Sequence, residues 1–250
     1  MNEYPRILSS SFIPFDPFVL AKETEKIVCI GDSRKYTDFY CTGVYGGIST
    51  GYLVGCCLRC IFCWVDFSRD YPETYGKFYT SEEVASKLLL NAQKSGLKKV
   101  RISGGEPTLG KEHLLKVLDL VEKADLFFIL ETNGILLGSN LEYVRSLKKY
   151  HNLYVRISLK AGTPEGFEKR TGAIGKFYEL PYLAVKQALE EGLYFRVACM
   201  SDSRLMSREE KLEMIRKLKE IGYHEALEEE ICDPYETSIV RLRKAGWQIF

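Results

Sequence analysis

A chain of 250 residues, 46% hydrophobic and 28% charged, has the composition of an ordinary globular protein with room for one large core. Its formal net charge of +1 excludes a strongly basic nucleic-acid-coating chain and a charge-extended disordered one. No apolar run approaches the roughly 18 residues of a membrane span, and Met1-Asn2-Glu3-Tyr4-Pro5 lacks the basic-then-apolar order of a secretory signal, so a cytoplasmic protein is expected.

In chain order, residues 1–50 show no period and are expected as an irregular extension packed on the core. Strands are predicted at 52–55, 99–103, 126–131, 154–159 and 194–200, each followed by a helical pattern. Thr80-Ser81-Glu82-Glu83 and Ser207-Arg208-Glu209-Glu210 are capping-box signatures, and Leu212, Ile215, Leu218 and Ile221 then form one stripe expected to be buried. Further helices are predicted at 111–123, 140–150 and 177–191, the last with Pro181 in its first turn. Repeated strand–helix alternation implies a parallel sheet with covering helices, because parallel strands need crossover connections. Periodicity does not separate a barrel from an open sheet, but in both the functional groups collect at the carboxyl ends of the strands. Residues 51–231 are read as this core and 232–250 as a short C-terminal helix or tail.

The first strand runs into Gly55-Cys56-Cys57-Leu58-Arg59-Cys60-Ile61-Phe62-Cys63-Trp64, which holds four of the eight cysteines. Clustered thiols in a reducing compartment point to metal or redox chemistry. The cluster parses as C-x3-C-x2-C from Cys56 or C-x2-C-x2-C from Cys57. A ferredoxin run would need a further cysteine where Phe67 stands, and a zinc site would need a second ligand pair that the chain lacks. Three thiolates can hold three irons of a cubane cluster and leave the fourth open.

The second strand ends in Ser103-Gly104-Gly105-Glu106-Pro107-Thr108, where two glycines allow close approach of a ligand to the backbone and a carboxylate can hold an ammonium. The third ends in Glu131-Thr132-Asn133-Gly134. On the fourth, alternation puts Arg156, Ser158 and Lys160 on one face, a polar stripe suited to a ligand-filled lumen, with a salt bridge the expected role of Arg156. The fifth puts Phe195, Val197 and Cys199 on one face and Arg196, Ala198 and Met200 on the other. Cys199 is expected as an inert core thiol.

Taken together over residues 50–205, the C-x3-C-x2-C loop with Phe62 before its last cysteine, the Gly-Gly-Glu-Pro, the Thr-Asn-Gly and the Ser158/Lys160 strand resemble the radical S-adenosylmethionine (SAM) superfamily. The resemblance implies a partial (β/α)6 TIM-like barrel. It also implies one 4Fe-4S cluster on Cys56, Cys60 and Cys63, with SAM bound at the open iron and cleaved by one electron to methionine and a 5′-deoxyadenosyl radical that abstracts hydrogen from a substrate. SAM contacts are implied for Phe62, Gly104, Gly105, Glu106, Asn133, Ser158 and Lys160, with Glu106 at the methionine amino group and Ser158 and Lys160 at the ribose and carboxylate. The glycine-bearing adenine motif of many relatives is absent from the fifth strand. Flavodoxin or ferredoxin is implied as external electron donor. The segments look most like the glycyl-radical-enzyme activases, so a protein substrate is expected. The alternatives are a two-cluster tRNA-modifying enzyme of the wybutosine-forming type, with Cys29, Cys41 and Cys57 as its second site, and a non-catalytic iron-sulfur carrier. The near-neutral charge weighs against a nucleic-acid partner.

Overall fold

Side chains alternating between two faces build one nine-stranded sheet in this computed structural model, which describes residues 4–250. Met1, Asn2 and Glu3, the start of the expected extension, lie outside the described residues. The first fifty residues are not irregular. Asp16 caps helix α1 (Pro17–Val28) by accepting from the backbone N–H groups of Phe18 and Val19, and β1 (Cys29–Ile30) and β2 (Ser33–Thr42) follow. Strand β2 pairs antiparallel with β1, with β3 (Ile48–Leu53) and with the short β4 (Lys77–Tyr79). No apolar alternation announces β2, because its buried positions include Arg34 and Lys35. Their cationic heads donate to the carbonyls of Val54 and Glu106, and of Pro72, respectively.

From β3 onward the sheet is parallel, in the order β3, β5 (Lys99–Gly104), β6 (Phe127–Thr132), β7 (Leu153–Leu159), β8 (Phe195–Met200) and β9 (Glu228–Glu230). The crossovers are carried by α2 (Ser81–Lys94), α3 (Lys111–Lys123), α4 (Ile135–Gly138) with α5 (Leu141–Leu147), α6 (Pro164–Thr171) with α7 (Glu179–Glu190), and α8 (Arg208–Glu220); α9 (Glu236–Lys244) follows β9. Among the described residues no helix is long and apolar enough to cross a membrane.

The Thr80/Glu83 capping box forms with both arms. At α8 only the Ser207 arm forms, because the Glu210 carboxylate turns to Arg170 and the Gly162 N–H. Of the expected stripe on α8, Leu218 is buried but Leu212 is 55% exposed, and Met214, outside that stripe, is buried. Helix α6 adds a crossover turn with standard signals, the N-cap Thr163, Pro164 and the left-handed Gly172 at its end.

One face of the parallel sheet is apolar and lies beneath the helices: Val100, Ile102, Phe128, Leu130, Val155, Ile157, Phe195, Val197 and Cys199 are all buried. The other carries Arg101, Ser103, Glu131, Arg156, Ser158, Glu228 and Glu230, and their contacts reach past neighbouring strands. From β7, Arg156 spans β8 to hold Glu228 and Glu230 on β9, and Tyr45 donates to Glu131 on β6. In the partial (β/α)6 barrel this polar face, turned away from the covering helices, is the concave one.

At the other edge, His113 on α3 is buried between the Tyr36 hydroxyl (2.9 Å) and the Asp32 carbonyl (2.5 Å), and burial lowers its pKa from 6.5 to about 4. The unfolded chain therefore takes up a proton as the pH falls below 6.5 while the folded one does not, so stability is full above 6.5 and declines toward pH 4 at up to about 1.4 kcal/mol per pH unit. His113→Gln, which keeps a polar group there without the titration, is expected to lose less urea-unfolding stability than the parent between pH 7 and pH 5. Equal losses would contradict this assignment.

Candidate functional site

The cysteine loop leaves the end of β3 with its backbone already committed. The Arg59 and Ile61 N–H groups donate to the carbonyls of Thr171 and Arg170, at 2.9 and 3.0 Å, which docks the loop on α6. Three buried guanidiniums take the carbonyls of three loop cysteines: Arg59 Nη1 holds Cys56 O at 2.9 Å, Arg69 Nη1 holds Cys60 O at 2.7 Å, and Arg241 Nη1, from α9, holds Cys63 O at 2.6 Å. The fully buried Asp70 carboxylate pairs with both Arg69 and Arg241.

The four thiols of the loop differ. Cys56 is half-buried, and its sulfur accepts from the Leu58 N–H at 3.4 Å; a hydrogen bond from the Cys57 thiol is the main reason its pKa falls to about 7. Cys57 is fully buried with its pKa raised, and the Asn133 amide Nδ2 lies 3.4 Å from its sulfur. Burial pushes the Cys60 thiol up to about 12 against the opposing field of Lys160, and Cys63 is half-buried. No three His, Cys, Asp or Glu side chains among the described residues converge on a single metal ion. What the loop offers is three soft donors spread along a fixed backbone, beside buried positive charge. That arrangement fits an anionic iron-sulfur cluster better than one hard cation.

Gly104 and Gly105 seat this loop against β5. Gly105 N–H donates to Leu53 O at 3.0 Å and Glu106 N–H to Gly55 O at 2.9 Å. A Cβ on Gly105 would lie 2.0 Å from Gly55 O, and Gly104 has φ +93° with Leu53 O 3.0 Å from where its Cβ would be. The close approach these glycines permit is therefore backbone to backbone, where the sequence suggested approach by a ligand.

The Glu106 carboxylate is buried and satisfied by neutral donors: Thr108 N and Oγ1 and Thr132 Oγ1 on Oε1, and Asn133 N on Oε2, at 2.7–3.1 Å. Among the described residues it forms no ion pair, so its charge has no countercation. Asn133 is thereby fixed with its side chain toward Cys56 and Cys57. At the end of β7, Lys160 Nζ donates to Ser158 Oγ at 2.6 Å and sits 5.8 Å from the centroid of the buried Phe62 ring. Arg170 holds the Lys160 carbonyl, and Ser158 donates to Glu230 at 3.1 Å. The fold thus links Cys56, Glu106 and Asn133 at one end of the array, and Ser158, Lys160 and Phe62 at the other.

Sequence reasoning missed Arg59, Arg69, Asp70, Arg241 and Glu230. Arg241 sits 178 residues from the carbonyl it holds, and no local pattern reports such a partner. The remaining cysteines are dispersed: Cys29 packs beside Arg34 and Gly110, Cys41 bonds Ser95 and the Asn91 carbonyl, Cys199 lies under the helices, and Cys232 lies near Asp202 and Asp233. Among the described residues Cys29, Cys41 and Cys57 share no partner.

A profile of the radical SAM superfamily matches residues 52–227. A probable GTP 3′,8-cyclase of Methanococcus maripaludis is 31% identical over 139 residues, 55% of this chain and 43% of that protein. The GTP 3′,8-cyclase of Petrotoga mobilis is 32% identical over 142 residues, 55% of this chain and 41% of that one. This chain therefore spans less than half the length of these relatives, which are not named as activating enzymes, the branch expected from the sequence. In fold it is similar to Streptococcus suis SuiB bound to S-adenosylmethionine, with TM-score 0.58, 19% identity, and coverage of 78% of this chain and 45% of that one.

The seating of the strand ends yields a packing test. Gly105→Ala is expected to destabilise the protein by about 2–3 kcal/mol or more, since backbone must move to admit the methyl group. Gly43→Ala, with nothing within 4 Å of its Cβ position and φ −78°, should stay within about 0.5 kcal/mol of the parent. Chemical denaturation of both variants decides the matter, and equal stability would refute the backbone contact.

Proposed function

The chain belongs to the radical SAM superfamily and is an enzyme using a 4Fe-4S cluster and SAM; we propose that Cys56, Cys60 and Cys63 hold one such cluster and that the neighbouring strand ends hold SAM. Together the two supply one-electron cleavage of a sulfonium to methionine and a 5′-deoxyadenosyl radical that takes hydrogen from a substrate. The observation that carries the assignment is the physical linkage of the expected segments. Asn133, fixed by Glu106, places its amide 3.8 Å from the Cys56 sulfur and 3.4 Å from that of Cys57, while Lys160 reaches the Phe62 ring. The C-x3-C-x2-C spacing of the family makes Cys56, and not Cys57, the first of the three proposed ligands.

In this reading Glu106 supplies an uncompensated buried carboxylate to the ammonium of SAM, and it already fixes the Thr132-Asn133 turn. Lys160, steadied by Ser158, offers its ammonium to the carboxylate of SAM. Phe62 and the buried side chains around it keep water from the reacting atoms. Residues 51–231 form the catalytic core, the preceding segment extends the sheet at its first edge, and residues 232–250 bring Arg241 to the cluster loop. Radical SAM enzymes take their electron from an external donor, for which flavodoxin or ferredoxin is the proposed class. The concave face is lined by Arg101, Glu131, Arg156 and Glu230, which suits a small polar substrate. With relatives named GTP 3′,8-cyclase, this favours a small molecule, GTP being the first to test, over the protein substrate of the activating-enzyme reading.

Anaerobically reconstituted protein should bind about four irons per chain. Cys56→Ala, Cys60→Ala or Cys63→Ala should abolish the cluster, and Cys57→Ala should not. After dithionite reduction the protein should release 5′-deoxyadenosine from SAM, faster with GTP if GTP is the substrate. Glu106→Gln and Lys160→Ala should weaken SAM binding about tenfold or more with iron content intact. A full cluster in Cys56→Ala, or unchanged SAM affinity in both binding variants, would overturn the assignment.

A further inference from the structure

The mechanism above leaves unused a group of buried charges behind the cysteine loop. Arg59, Arg69, Asp70 and Arg241 are each at most 2% exposed. Each arginine donates to the carbonyl of a different expected cluster ligand, Cys56, Cys60 or Cys63. Arg59 also takes the Leu58 and Pro5 carbonyls, and Arg241 those of Val65 and Asp66. The one carboxylate among them, Asp70, pairs with Arg69 and Arg241. The group therefore carries a net charge of +2, removed from water, against the loop that presents the thiols. Glu106 is a further buried carboxylate whose field reaches Cys56.

Three charged side chains with more than one donor each are more than a loop needs for its shape, since backbone bonds to α6 already dock it. Buried arginines cost several kcal/mol each in desolvation, so a surplus of positive charge demands a negative partner. A cluster on three thiolates is negative and becomes more so on reduction. We infer that Arg59, Arg69 and Arg241 act as positioning residues that hold the three ligand cysteines by their carbonyls and, through a positive charge only partly offset by Asp70, raise the reduction potential of the bound cluster. This rests on the cluster assignment proposed above. In the step concerned, one electron from the external donor enters the cluster, no bond to the protein changes, and the added negative charge is stabilised by the fixed guanidiniums. Because Arg241 belongs to α9, the end of the described chain takes part in setting the potential of a loop at its first parallel strand.

The test is a redox titration, followed by electron paramagnetic resonance, of the reconstituted parent, Asp70→Asn, Arg241→Gln and the Arg241→Gln/Asp70→Asn double variant, with iron content measured in each. Local net charge is raised by one in Asp70→Asn, lowered by one in Arg241→Gln and restored in the double variant. The expected midpoint potentials run in that order, Asp70→Asn highest, Arg241→Gln lowest, and the double variant close to the parent. Each single step is expected to change the reduction equilibrium about tenfold, which is about 59 mV for a one-electron couple. A merely structural role would lower iron content without producing this charge order. Equal midpoints in iron-replete variants overturn the inference. Should Arg241→Gln fail to fold, Asp70→Asn alone decides: a raised midpoint supports the inference and an unchanged one overturns it. If the cluster assignment itself is wrong, the parent binds no iron or Cys56→Ala loses none, a failure visible before any potential is read.

Discussion

One buried carboxylate sets the geometry on which the strand ends depend. Glu106 receives four hydrogen bonds from Thr108, Thr132 and Asn133, while its own N–H is spent on the Gly55 carbonyl at the root of the cysteine loop. Three consecutive parallel strands, β3, β5 and β6, are thus registered at their carboxyl ends by a single residue. That bond to Gly55 requires the chain to pass within contact distance of another backbone, which excludes any side chain at Gly105. A charge buried with donors but no cation is costly unless something positive arrives, and this links the folding constraint to ligand binding.

The concave face shows the same economy of polar groups. Arg156 holds Glu228 and Glu230, Ser158 joins Glu230, and Arg101, Ser103 and Tyr45 converge on Glu131. A network of this kind stabilises little over an apolar core of equal volume, so its value lies in an oriented polar surface beside the strand-end site. The opposite face supplies the stabilising burial, with Val, Ile, Leu and Phe side chains packed beneath the helices. The division of labour follows from period-two alternation alone.

The parallel strands from β5 to β8 were legible in the sequence because each is a short apolar run with its helix signalled by caps or periodicity, and the four motifs fall where such strands must end. The sixth strand was not located, since Glu228-Glu229-Glu230 has no apolar residue and is held in place by partners on β7 and α8 rather than by burial. Strand β2 was hidden for the related reason that Arg34 and Lys35 occupy its buried positions. On α8 the expected stripe held at Leu218 and failed at Leu212, with Met214 buried in the core instead, since four apolar residues at helical spacing do not say which of two adjacent faces packs. The cysteines were visible as ligand candidates, but the arginines that fix them were not. Each acts through a carbonyl, and any residue has a carbonyl.

The central claim is that three cysteines of this loop hold a cluster whose fourth iron is left for SAM, beside segments locked together by Glu106. Mössbauer spectroscopy of protein reconstituted with 57Fe, recorded with and without SAM, tests it most directly. The account predicts one iron in four with parameters distinct from the other three, and a shift of that site alone when SAM is added. Four irons that respond alike, or none that responds to SAM, would contradict it.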